Sequence, residues 1–237
     1  MKKLLIFGLE GNLLDNYSIK ADCAGKALQE AVEEFSKIKK GVDFFSKIYI
    51  ETSGMNCLKQ FRIAFDRAGV EGVPENILEK TEKAFRQYLK DAEKRVKLFE
   101  DAEWFLKTFQ NDYFLAVTTT VPVESLFSKI NSSGIDKYIN LICARGGVLD
   151  SGRPIYIDDF DKGPKHYDLL GKWFNVDCGN MIAVSSTKKD ILNAKENQVI
   201  SVAVEHIFDK AELEKLSPDF LIEDFYRLPL ILNEIGN

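Results

Sequence analysis

The sequence predicts an α/β protein: a core built on a doubly wound parallel sheet, with an α-helical cap inserted after the first strand. Three observations predict it. Short apolar runs of strand length recur along the chain, helix-like segments lie between most of them, and one long interval carries helical periodicity with no convincing strand. Parallel strands need crossover connections, and helical crossovers cover both faces of the sheet. Strands buried on both faces read as continuous apolar runs rather than as an alternation.

The elements follow in chain order. "LLIF" (4–7) is the first strand. From about Asp15 to Arg95 the text is helical. "ADCAGKALQEAVEEFSKI" places Ala24, Ala27, Leu28, Ala31, Val32 and Phe35 at helical spacing, and "NCLKQFRIAFDRAG" and "ILEKTEKAFRQYLKDAEKRV" do likewise across a Gly/Pro-rich join, "GVEGVP". "AEWFLKTFQ" is the helix before the second strand, "YFLAVTT" (113–119), and "VESLFSKINSSGI" is the helix after it. "INLICA" (139–144) follows as a strand, then the helix "KHYDLLGKWFNV" and the strand "MIAVSS" (181–186). The helix "KKDILNAKEN", the strands "VISVAV" (199–204) and "DFLIED" (219–224), and the helix "FYRLPLILNEI" complete the order. The division implied is a core of residues 1–14 and 96–237 and a helical cap of residues 15–95.

Composition narrows the function classes. At 237 residues and 45% hydrophobic, the chain has material for a sizeable core. A net charge of −5 argues against a nucleic-acid backbone or an anionic membrane as partner. No apolar stretch approaches the ~20 residues a spanning helix needs. "LLIFGL" is too short for a signal peptide, runs into Glu10 and lacks a small-residue cleavage site. The four cysteines are scattered, with no C-x-x-C pair, and only His166 and His206 accompany them, so neither a zinc site nor a disulfide framework is expected. The reading is a cytoplasmic protein with reduced thiols.

The segment "LLIFGLEGNLLDN" poses the functional question. Together with "YFLAVTTTVP", "KGPKHYDLL" and "MIAVSSTKKDI", in that order, it resembles the motifs of the haloacid-dehalogenase-like hydrolase superfamily. The resemblance is to phosphoglycolate-phosphatase-like members with a helical cap, and it covers essentially the whole chain. It implies a Rossmann-like core and phosphate-ester chemistry at the carboxyl ends of the strands, where open parallel sheets hold their ligands. In that family an aspartate attacks phosphorus and a second, two residues on, acts as general acid and base. Residues two apart on a strand point the same way, so both carboxylates reach one site. Mg²⁺, held by carboxylate oxygens, clamps the phosphate, while a hydroxyl and a lysine grip its remaining oxygens.

Mapped onto this chain, the nucleophile position is Gly8 and the acid/base position is Glu10. The resemblance implies phosphate-binding roles for Gly11, Thr119 and Lys162, with Lys165 a competitor for the lysine. Asn12 stands where threonine is usual, and Thr120 where asparagine is common. In the fourth motif Ser185 replaces glycine, Ser186 replaces a metal-binding aspartate and Asp190 remains. No catalytic residue and no metal ligand is therefore assigned.

Each signal also has a structural reading. Thr119 fits simple β-propensity, Lys162 and Lys165 fit solvated loop charges, and His166 fits a surface or helix-start residue. Asp15 and Asp190 fit loop and helix-start acceptors, and no G-x-S-x-G elbow supports a serine hydrolase. Two functions remain open. One is a catalytically inactive or strongly impaired member of the fold, without a cofactor, that binds a phosphorylated small molecule, another anion or a protein partner. The alternative is an active phosphatase or hydrolase with a divergent site using Glu10 and Mg²⁺.

Overall fold

The computed structural model describes residues 2–53, 55–92 and 96–236, which divide into two compact units, Met1–Asp15 with Lys97–Asn237, and Asn16–Val96. The join expected at residues 95 and 96, and the last turn of the helix drawn through "DAEKRV", fall partly on residues 93–95, outside the described set.

The first unit is an eight-stranded sheet of order β5-β4-β3-β2-β1-β6-β7-β8. Its strands are β1 (Leu4–Gly8), β2 (Phe114–Pro122), β3 (Leu141–Arg145), β4 (Gly147–Asp150), β5 (Arg153–Tyr156), β6 (Met181–Ser185), β7 (Ile200–Val204) and β8 (Phe220–Ile222). All pairings from β3 across to β8 are parallel, while β4 and β5 add an antiparallel hairpin at one edge. β1 lies in the middle and is buried throughout, which explains why Leu4–Phe7 is apolar at every position.

The two faces of the sheet are covered by different helices, as double winding requires. The helices of this unit are α5 (Glu100–Phe109), α6 (Val123–Ser133), α7 (Pro164–Phe174), α8 (Lys188–Glu196), α9 (Lys210–Glu214) and α10 (Leu228–Gly236). Leu4 and Ile6 pack with Tyr167 and Leu170 of α7 in one cluster. Phe7 turns the other way and meets Phe105 of α5 and Phe225, with ring centroids 6.1 and 5.9 Å distant. Alternation along β1 thus fastens both layers to one strand, and rings at this spacing add about 1 kcal/mol per pair beyond burial.

The second unit is helical: α1 (Tyr17–Ser36), α2 (Val42–Glu51), α3 (Cys57–Arg67) and α4 (Glu75–Ala92). Its core is built from Ala24, Leu28, Val32, Phe45, Phe61, Phe65, Leu78 and Phe85. α1 and α2 approach closely at Gly25, where a Cβ would stand 2.8 Å from Val42 O and 2.4 Å from Ser46 Oγ. The aromatic and β-branched text of α2, "VDFFSKIYIE", is helical because Phe45, Ile48 and Tyr49 share a buried face at three- and four-residue spacing. Among the described residues no helix is long and apolar enough to cross a membrane.

Candidate functional site

The site lies where β1, β2 and β6 end. Beyond Gly8 the chain turns tightly: Leu13 and Leu14 donate their N–H groups to Leu9 O at 3.0 and 2.9 Å, and Gly11 N–H donates to Leu14 O at 2.9 Å. Gly11 has φ +70°, a backbone conformation that glycine adopts without strain. Its N–H serves the turn, so Gly11 presents no free amide to an anion.

Asn12 is fully buried and is the hub of the loop. Its Nδ2 donates to Gly8 O at 3.3 Å and to Val184 O at 3.0 Å, and its Oδ1 accepts from Ser186 Oγ at 2.9 Å. Three polar groups that burial would otherwise leave costly are thereby paired. The orientation of the amide is dictated by its neighbours: two carbonyls demand the NH₂ end, which leaves oxygen facing Ser186.

A second polar group surrounds Asp190, in the first turn of α8. Thr187 caps that helix, accepting from Asp190 N at 3.3 Å, and the position favours a carboxylate through the helix dipole. Asp190 Oδ2 accepts from Lys162 Nζ at 2.7 Å and from Ser185 Oγ at 3.0 Å. The side chains of Lys162 and Asp190 are only 12% and 7% exposed, so the ion pair is shielded from solvent. Asp190 Oδ1 is buried without a hydrogen-bond partner.

Gly8 lies against this pair. A Cβ placed on it would come within 3.2 Å of both Asp190 Oδ2 and Ser185 Oγ, and 3.4 Å of Asn12 Cβ. These contacts are tight, so a side chain there would require the Asp190 and Ser185 side chains to give by a few tenths of an ångström.

The remaining sequence candidates are placed as follows. Thr119 is buried within β2, one residue past the Gly8–Thr118 pairing, and its Oγ1 accepts from Val121 N at 3.2 Å. Lys165 donates outward to Asp159 O, whereas Lys162 enters the Asp190 pair. Glu10 is half-buried in the turn and bridges to Leu14. His166 does begin a helix, in the first turn of α7, but it is 1% exposed rather than at the surface. Its ring stacks near Phe160 with centroids 4.5 Å apart, and neither ring nitrogen has a partner. Burial, reinforced by the Lys162 charge, pushes its pKa down to about 3, against smaller opposing effects of the Ala144 backbone and Asp190.

Sequence reasoning missed Asn12 as the hub and missed a buried contact beside it, His206 to Asp101. The only signal for the latter was chemical type, since the two residues are far apart in the chain. A surface cavity of about 650 Å³, lined by Lys2, Lys3, Asp112, Tyr113, Leu232 and Asn233, opens at the opposite, amino end of β1 and β2. Its lysines are engaged, Lys3 with Ile235 O and Lys2 over the Phe114 ring, and the chemistry gathers at the other end.

The residues present do not fit a Mg²⁺ ion. Gly8 and Ser186 offer no carboxylate, the Ser186 hydroxyl is used on Asn12, and Asp190 Oδ2 is covered by an ammonium group. Asp190 Oδ1 and Glu10, the carboxylate oxygens that remain, fall short of octahedral oxygen ligation. Among the described residues no group of three or more His, Cys, Asp or Glu could hold a metal.

No protein-family model and no curated protein matches the sequence. Solved structures match over nearly the whole length. A Haemophilus somnus protein described as a predicted phosphoglycolate phosphatase aligns with a TM-score of 0.73 at 16% identity, covering 98% of each chain. A haloacid dehalogenase-like hydrolase from Streptococcus pneumoniae aligns with a TM-score of 0.74 at 15% identity, again over 98% of each. A hydrolase from Pseudomonas syringae gives 0.73 at 17% identity over 99% of each. With the strand order, the helical insertion after β1 and the site at the strand ends, these likenesses establish that the chain has the haloacid-dehalogenase-like fold.

Proposed function

We propose that this chain is a non-hydrolytic member of the fold, which binds a phosphorylated small molecule at the strand ends without turning it over. The observation that carries the reading is the tight packing around Gly8: no nucleophile stands there, and Asp190 and Ser185 lie 3.2 Å from where its Cβ would be. Glu10 would need near-attack geometry to replace the missing group, and it lies in a turn fixed by its own hydrogen bonds.

Binding, unlike turnover, needs only groups that remain. Lys162 supplies a cation, and Thr119 a hydroxyl on the neighbouring strand. No resident metal or cofactor is needed. The protein would act in the cytoplasm.

Titration with inorganic phosphate and with a sugar phosphate, followed by thermal unfolding, tests the binding half. Near a hundredfold excess over Kd a ligand selective for the folded state stabilises by about 2.7 kcal/mol, or roughly 5–10 °C in a chain of this size. Lys162→Ala should erase the ligand-induced rise relative to its own unliganded baseline. A flat response to both ligands would defeat this half. It would leave a second reading, a vestigial site on a protein-binding scaffold, which draws on the exposed, mutually packed Trp104 and Tyr226.

A further inference from the structure

His206 follows β7, and its ring lies between Phe99 and Phe225, with centroid distances of 4.1 and 5.5 Å. Nδ1 stands 3.0 Å from Asn12 O, and Nε2 stands 3.0 Å from Asp101 Oδ2. Both partners are acceptors. A backbone carbonyl has no proton to give, and Asp101 Oδ2 already accepts from Phe225 N at 2.8 Å while its Oδ1 accepts from Ala102 N at 2.9 Å.

A neutral imidazole carries one N–H and can satisfy only one of these acceptors; the imidazolium satisfies both. The histidine and aspartate side chains are 8% and 11% exposed, so solvent does little to relieve a lone pair facing an acceptor. Burial alone would raise the Asp101 carboxyl, but the hydrogen bonds from His206 and from the Phe225 and Ala102 N–H groups outweigh it and hold it below the usual carboxylate range.

We propose that His206 is the positioning residue of the Leu9–Leu14 loop, and that its doubly protonated ring, anchored on Asp101, clamps Asn12 at the candidate site. Asn12 is the point where a clamp has most effect, because its side chain joins Gly8, Val184 and Ser186. The protonated ring makes both bonds, so the clamp is closed at the acid end. A neutral ring can make only one of them, which leaves the clamp open at one end.

The chain has only two histidines, which makes the test direct. Ring ¹⁵N shifts and amide exchange protection at Gly11, Leu13, Leu14 and Phe99 are followed in the full chain from pH 5.5 to 8.5. The expected result is an imidazolium at His206 at the acid end, and a loss of protection of about tenfold at these amides as it deprotonates. Protection should be flat in His206→Gln, and the midpoint should fall in Asp101→Asn. Loop protection that ignores the His206 titration, or a neutral ring throughout, overturns the proposal in the wild type alone, whatever the variants do. So does an unchanged pH dependence in His206→Gln. None of these readouts involves a ligand or turnover, so the clamp can fail while the binding reading stands, and the reverse.

Discussion

Lys162→Ala is expected to destabilise the protein by about 3 kcal/mol at pH 7, because removing one partner of a buried ion pair strands the other charge. In a chain of this length that is a fall of roughly 6–12 °C in Tm. Asp190 would keep only the Ser185 hydroxyl and the α8 N-terminus, with Oδ1 still unpartnered. The double variant Lys162→Ala/Asp190→Asn removes the stranded charge and should recover more than half of the loss. Denaturant unfolding of the three proteins measures both quantities. A single-variant cost below about 0.5 kcal/mol, the range of ordinary surface changes, would mean that the pair is solvated in solution. The same pair bears on function, because a lysine held on Asp190 beside Gly8 is placed to bind an anion and equally to exclude a second cation.

Acidification should destabilise the protein between pH 6.5 and 4.5 through His166. Its ring is buried and neutral, with a folded-state pKa near 3 against about 6.5 when unfolded. The unfolded chain therefore takes up a proton that the folded chain refuses. The stabilising contribution is complete above pH 6.5 and shrinks as pH falls, by about 2–3 kcal/mol at pH 4.5. His166→Leu should remove this slope. At pH 7 it should be neutral or stabilising, since it replaces two unpartnered buried nitrogens with a side chain of similar volume beside Phe160. Parallel stability profiles for wild type and His166→Leu would refute the burial account.

The parallel core was legible because burial on both faces leaves one signature, an unbroken apolar run. Each of the six runs, from Leu4–Phe7 to the one around Phe220–Ile222, became a strand of the parallel set. The β4–β5 hairpin was not read, because all four residues of β5 are exposed and such a strand has no apolar pattern to show. Its turn did leave a trace, Ser151-Gly152, both with positive φ. α2 lay inside the interval read as helical but was not picked out as a segment, since its residues of strand-like propensity are overruled only by a three- and four-residue burial pattern.

At the site, residue type and order singled out Gly8 at the end of β1, Ser186 just past β6, Thr119 in β2, Lys162 in the loop before α7 and Asp190 in the first turn of α8. Sequence could not choose between Lys162 and Lys165, because the loop geometry that sends one inward and the other to Asp159 is not local information. Nor could it show that Asn12 and Ser186 bond to each other across 174 positions.

The central claim, that this site no longer transfers a phosphoryl group, is tested most directly by initial-rate hydrolysis of p-nitrophenyl phosphate and a panel of sugar phosphates with Mg²⁺ present. Wild type, Glu10→Gln and a heat-treated control are compared. The rate expected for wild type is that of the heat-treated control for every substrate. Magnesium-dependent turnover by the wild type that Glu10→Gln abolishes would contradict the claim and make Glu10 a working catalytic group.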